Sequence, residues 1–120
     1  MARIHIMGAN DQLHIDLRVE NDRVVVKLEG ELDMANAPLL QSSIESDELA
    51  SAKIVVLDLQ GLTFLDSTGL RVVLSAREQC WRRGQEFAVT PGSQQVQRLL
   101  SVTGVGEHLR TIASADELFV

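Results

Sequence analysis

Side chains able to do chemistry are few in this chain, and most stand far apart. His5, His14 and His108 are widely separated, and no two share the helical spacing that presents a pair of metal ligands. The single cysteine, Cys80, can close neither an internal disulfide nor a cysteine cage around a metal. Next to Trp81 in a helical stretch it reads as a small buried hydrophobe. The phosphate-cradling pattern G-x-x-x-x-G-K-[ST] does not occur. Gly104-Val105-Gly106 is a bare G-x-G, and Glu107 behind it would repel a phosphate, so a flexible loop fits it better. No metal, no other cofactor and no catalytic residue are expected.

One cluster stands out, Asp66-Ser67-Thr68-Gly69. A nucleophile elbow, G-x-S-x-G, requires glycine two residues before the serine, and Leu65 occupies that place. An acid-protease loop runs Asp, Ser or Thr, then Gly without a gap; here Thr68 is inserted and no second copy supplies the paired carboxylate. Two readings remain open. Asp66, Ser67 and Thr68 are ordinary N-cap residues that satisfy the first unpaired N–H groups of a helix. A serine hydroxyl at a helix N-terminus is also a good place for a phosphate, because free N–H groups and the helix dipole favour negative charge there.

The elements around this cluster can be read from periodicity. Leu13, Ile15, Leu17 and Val19 alternate with His14, Asp16 and Arg18, the mark of a half-buried strand. Asn21-Asp22 supplies a turn, and Arg23 to Leu28 reads as a second strand, so the pair forms an antiparallel hairpin. After Gly30-Glu31-Leu32-Asp33 a helix is expected over roughly Ala37 to Leu49, capped by Asn36 with Pro38 in its first turn, while Asp33 could cap an earlier irregular turn. Lys53 to Leu59 is a continuous apolar run, as in a strand covered on both faces. A loop from Gln60 to Ser67 leads to the strongest helix, Thr68 to Arg83, with Leu70, Val73, Leu74 and Trp81 on one face and Gly84 ending it. Glu86 to Val89 is a short strand. Thr90-Pro91-Gly92-Ser93 turns into a helix carrying Val96, Leu99 and Leu100, and stopping before Gly104. Leu109 to Ile112 is a candidate edge strand and Ala115 to Phe119 a candidate last helical turn. The order implies an α/β fold: a mixed sheet of four or five strands, opening with an antiparallel hairpin and packed by three to four helices.

Composition narrows the partners. The 120 residues fit one domain, with a formal net charge of -6 that repels nucleic acid and anionic membrane surfaces. The densest basic spot, Arg82-Arg83 with Arg77 before it, reads as the solvated end of a helix. No apolar run approaches the ~18 residues of a membrane span or forms the core of a secretory signal, so a cytoplasmic protein is expected.

Gly30-Glu31-Leu32-Asp33, Val55-Val56-Leu57-Asp58-Leu59 and Phe64-Leu65-Asp66-Ser67-Thr68-Gly69-Leu70 together resemble the STAS domain of bacterial anti-sigma factor antagonists. The likeness continues through Arg82-Arg83-Gly84, Val96 to Leu100 and Thr103-Gly104-Val105. It divides the chain into residues 1–12, an extension or extra strand, and a STAS domain over residues 13–120. It implies that Ser67 is the phosphoacceptor, modified by an anti-sigma factor that is itself a serine kinase, and that a PP2C-type phosphatase restores it. It also implies that the unmodified form binds the kinase and frees a sigma factor. Asp33, Thr63, Asp66, Ser67, Thr68 and Gly69 would meet the partner. Arg71 stands where family members often carry a second glycine, and could pair with a phosphoserine or with Asp66. The protein would be a monomer or weak homodimer and not an enzyme. The same family also includes constitutive accessory subunits of lipid-transport ATPases and of stress-sensing assemblies. A flavodoxin-like enzyme or nucleotide-binding module is disfavoured by the missing phosphate loop and by aromatics of only 3%.

Overall fold

A computed structural model of the chain describes residues 12–115 in full and residues 3–9 as backbone. Five strands form one mixed sheet in chain order: β1 Arg3–Ala9, β2 Leu13–Glu20, β3 Arg23–Leu32, β4 Ile54–Leu65 and β5 Glu86–Val89. β1, β2 and β3 pair antiparallel, whereas β3–β4 and β4–β5 are parallel. Each parallel step requires a crossover, and the helices supply it. α1 (Ala37–Ile44) and the single turn α2 (Asp47–Ala50) link β3 to β4, and α3 (Ser67–Arg82) links β4 to β5. α4 (Gln94–Val102) and a 3-10 turn at Val105–His108 follow.

The alternation in β2 decides which face is buried. Leu13, Ile15 and Leu17 join Val24, Val26 and Leu28 of β3 and Val55, Leu57 and Leu59 of β4 in the main core. α1, α3 and α4 close that core with Leu40, Ile44, Leu70, Val73, Val96 and Leu100. On the opposite face Val25, Val56 and Ala88 form a smaller cluster with Ile112 and Ala115. That second cover explains why β4 reads as a continuous apolar run rather than an alternating one.

Several expectations are corrected. The stretch from Gln60 is strand as far as Leu65, not loop. Its ladder with β3 continues through Glu29↔Gly61, Gly30↔Leu62 and Leu32↔Leu65 after two register shifts. Bulges absorb the polar Gln60-Gly61 pair that looks like a turn, and Leu62 and Leu65 behind it remain buried. The helix expected from Ala37 to Leu49 is broken, because Ser46 is extended and starts α2. Trp81 is 78% exposed, and Cys80 takes its expected place in the core. Seven residues from Val73 bring Cys80 to within about 20° of the same azimuth, whereas an eighth turns Trp81 roughly 80° away. Burial pushes the Cys80 thiol up to about 11, the nearby Arg83 offsetting part of the rise. The segment expected as an edge strand makes a single parallel bridge, Val89↔Thr111. The helical turn expected over Ala115 to Phe119 falls, past Ala115, outside the described residues.

Candidate functional site

The end of β4 delivers the chain to α3 at the edge of the core. Leu65 is buried, and the next residue, Asp66, is extended at φ -101 and ψ -179, the geometry of an N-cap. Its Oδ1 accepts the Gly69 N–H at 2.8 Å, satisfying one of the helix's free donors. Its backbone N–H donates to the Leu32 carbonyl at 3.2 Å, which ties the helix start to the end of β3.

The second oxygen of Asp66 does something periodicity does not show. Oδ2 accepts the Met34 N–H at 3.0 Å, binding the β3–α1 loop to the N-terminus of α3. That loop is internally braced. Asp33 Oδ1 accepts the N–H groups of Ala35 (2.9 Å) and Asn36 (3.2 Å), so Asp33 caps the irregular turn before α1. Asn36 precedes α1 but does not cap it through its side chain. Fully buried, it instead accepts from the Asp33 N–H and donates to the Glu31 carbonyl, both at 2.9 Å.

The residues of the D-S-T-G cluster divide into support and surface. Gly69 is buried, and a Cβ there would lie 2.7 Å from Leu65 Cδ1 and 2.8 Å from Leu32 Cγ. Glycine thus lets α3 approach the ends of β3 and β4. Ser67 is exposed, and among the described residues its hydroxyl takes no hydrogen-bond partner. Thr68 is half-buried beside it, and Thr63 is exposed with its hydroxyl donating to the Gly30 carbonyl at 3.1 Å. Arg71 is exposed and forms no ion pair with Asp66, whose carboxylate is occupied by backbone amides. Met34, 72% exposed, completes the surface with an apolar contact that the sequence pattern did not single out. Ser67 therefore sits on solvent at the positive end of α3, on a braced platform.

Other polar groups are accounted for structurally. Asp58, buried on β4, accepts from the Thr90 hydroxyl at 2.8 Å and the Gln60 N–H at 3.0 Å, while Thr90 Oγ1 accepts the Leu59 N–H at 2.8 Å. Among the described residues no His, Cys, Asp and Glu side chains cluster so as to hold a metal ion, and no helix is long and apolar enough to cross a membrane.

Replacing Asp66 by alanine is expected to lower unfolding free energy by about 1–2 kcal/mol, the usual worth of a lost N-cap. Asp66→Asn keeps an acceptor for Gly69 and should lose less than half of that. Urea titrations followed by far-UV circular dichroism check both; equal losses would show that the cap is not what Asp66 contributes.

Comparison with known proteins bears on the family and the fold. The family model of the STAS domain matches residues 14–118. An anti-sigma F factor antagonist of Paenibacillus polymyxa is 30% identical over 96 residues, covering 78% of this chain and 82% of the relative. The crystal structure of an anti-sigma factor antagonist from Mycobacterium paratuberculosis superposes with a TM-score of 0.79 at 26% identity, over 90% of this chain and 92% of that one. The phosphorylated form of the Bacillus cell fate determinant SpoIIAA shares the fold at a TM-score of 0.64 and 20% identity, over 82% of this chain and 90% of that one.

Proposed function

The chain belongs to the STAS domain family, and on that premise we propose that it is an anti-sigma factor antagonist whose binding is switched off by phosphorylation of Ser67. The unmodified protein binds a serine-kinase anti-sigma factor and releases the sigma factor; a PP2C-type phosphatase reverses the modification. The protein itself is not an enzyme, uses no cofactor, and works in the cytoplasm without nucleic acid or membrane. Residues 13–120 constitute the switching domain and residues 1–12 an extension of it.

The observation that carries this reading is the Ser67 hydroxyl. It is exposed, it has no hydrogen bond to the described residues that transfer of a phosphoryl group would break, and it stands at a helix N-terminus that tolerates negative charge. Asp33, Asp66 and Gly69 hold the platform, while Thr63, Met34, Thr68 and Arg71 frame the surface a partner would meet. Arg71, in the second turn of α3, is the cation placed to reach a phosphate on Ser67.

The test is incorporation. Incubated with ATP and its cognate kinase, the full chain should gain a single phosphoryl group by intact mass, and Ser67→Ala should gain none. An unmodified wild-type chain, or a Ser67→Ala chain that still takes phosphate, overturns the assignment.

A further inference from the structure

Trp81 is the chain's only tryptophan, and it stands 78% exposed near the far end of α3 from Ser67. A tryptophan can bury 150–250 Å² when covered, which makes it a large apolar contact for a partner. It lines a cleft of about 260 Å³ with Arg77, Gln85, Glu86, Phe87, His108 and Arg110. The cleft runs along the outer edge of β5, the last strand of the sheet.

That edge is only partly used. The N–H groups of Glu86 and Thr90 donate inward to carbonyls of Lys53 and Leu57, whereas Val89 faces outward and exchanges bonds with Arg110 and Ile112. By strand alternation the N–H and C=O of Phe87 also face outward. Among the described residues the 110–112 segment engages Val89 and stops short of Phe87.

Charge is concentrated here against the trend of the molecule. The chain carries -6 overall, yet Arg77 and Arg110 line this cleft beside the carboxylate of Glu86. Glu86 pairs with Arg110 at 3.3 Å, which leaves Arg77 as the excess positive charge among the described lining residues.

We propose that this cleft is a second docking site, taking an extended acidic segment of a partner protein that carries a large apolar side chain. The backbone of the segment adds to the edge at Phe87, its apolar side chain covers Trp81, and its carboxylate meets Arg77. The site lies roughly 20 Å along α3 from Ser67, so it can be occupied while the phosphorylation surface is engaged.

Trp81 reports on its own site. The full chain is titrated with an acetylated, amidated peptide EDLFED and with its lysine counterpart KKLFKK. The acidic peptide should give a saturable blue shift of Trp81 emission that weakens as salt is raised, and the lysine peptide none. Arg77→Glu should weaken the acidic peptide at least tenfold, keep its circular dichroism spectrum, and accept phosphate at Ser67 as the wild type does. Calorimetry with Trp81→Ser, folded as the wild type, should show the same loss without relying on fluorescence. No saturable response, equal responses to both peptides, or an emission shift that tracks protein concentration together with a sedimenting dimer would each overturn the proposal, the last by making the cleft an interface between copies.

Discussion

Gly30→Ala is expected to destabilise the domain by about 4 kcal/mol, a large share of the ~5–15 kcal/mol that holds a domain of this size together. Gly30 lies in β3 at φ +104, a region that costs a residue with a side chain roughly 1–3 kcal/mol. A Cβ at this position would also stand 2.0 Å from the Gln12 carbonyl oxygen, which already accepts the Glu31 N–H at 2.8 Å. The obstacle is backbone, so no rotamer change relieves it, and the entry to β2 must shift, adding about 1–3 kcal/mol of overpacking. Gly84→Ala separates the two terms. Gly84 has a φ of +72 but nothing within 4 Å of an added Cβ, so strain alone should cost it roughly 1 kcal/mol. Urea unfolding followed by circular dichroism measures both. Equal losses for the two variants would show that contact with Gln12 contributes nothing.

The second large effect concerns binding rather than folding. Phosphorylated Ser67 is expected to leave the melting temperature within a few degrees of the unmodified protein, because the exposed hydroxyl breaks no hydrogen bond with the described residues. The helix dipole offers about 0.3–1 kcal/mol in favour of the added charge. Repulsion from Asp66 acts against that gain, with Arg71 one turn further on available to offset it. In the proposed complex the balance differs. Phosphate adds about -1.5 to -2 charges, and burying such a group without a matched partner costs several kcal/mol. Since ~2.8 kcal/mol is already a hundredfold in affinity, the modified protein should bind its kinase partner at least a hundredfold more weakly. Ser67→Ala, which adds no charge, should bind within a few-fold of wild type. Calorimetry with modified and unmodified full chain decides it: an affinity change under threefold, or a fall in melting temperature above about 10 °C, would remove the switch as described.

The two predictions differ in how visible their causes are in the chain. Ser67 at the start of a helix is read from Asp66, Gly69 and the apolar spacing behind them, all within a few turns. Gly30 is unremarkable by that standard. Its importance comes from Gln12, whose carbonyl reaches it only because β2 and β3 pair with Leu13 opposite Gly30. The same holds for Met34 and Asp66, 32 residues apart and joined by one hydrogen bond. It holds also for Thr90, whose hydroxyl connects Asp58 and Leu59 of β4 to the end of β5. Trp81 shows a finer failure. Its helix was evident, but a one-residue error in azimuth turned an exposed ring into an expected core residue.

Local period and cap chemistry thus determined from the amino-acid order alone that an antiparallel hairpin opens an α/β sheet and that the Asp66-Ser67-Thr68 cluster caps its strongest helix, expected from Thr68; the structure starts that helix one residue earlier, at Ser67. Those signals depend on neighbours a few residues apart, and such neighbours meet in any fold that keeps the helix or strand. The extension of β4 through Gln60-Gly61, the second hydrogen bond of Asp66, the constraint on Gly30 and the uncovered Trp81 were decided only in three dimensions. Each depends on which distant backbone group lies opposite, and that is set by sheet register and helix packing, which a one-dimensional pattern does not carry.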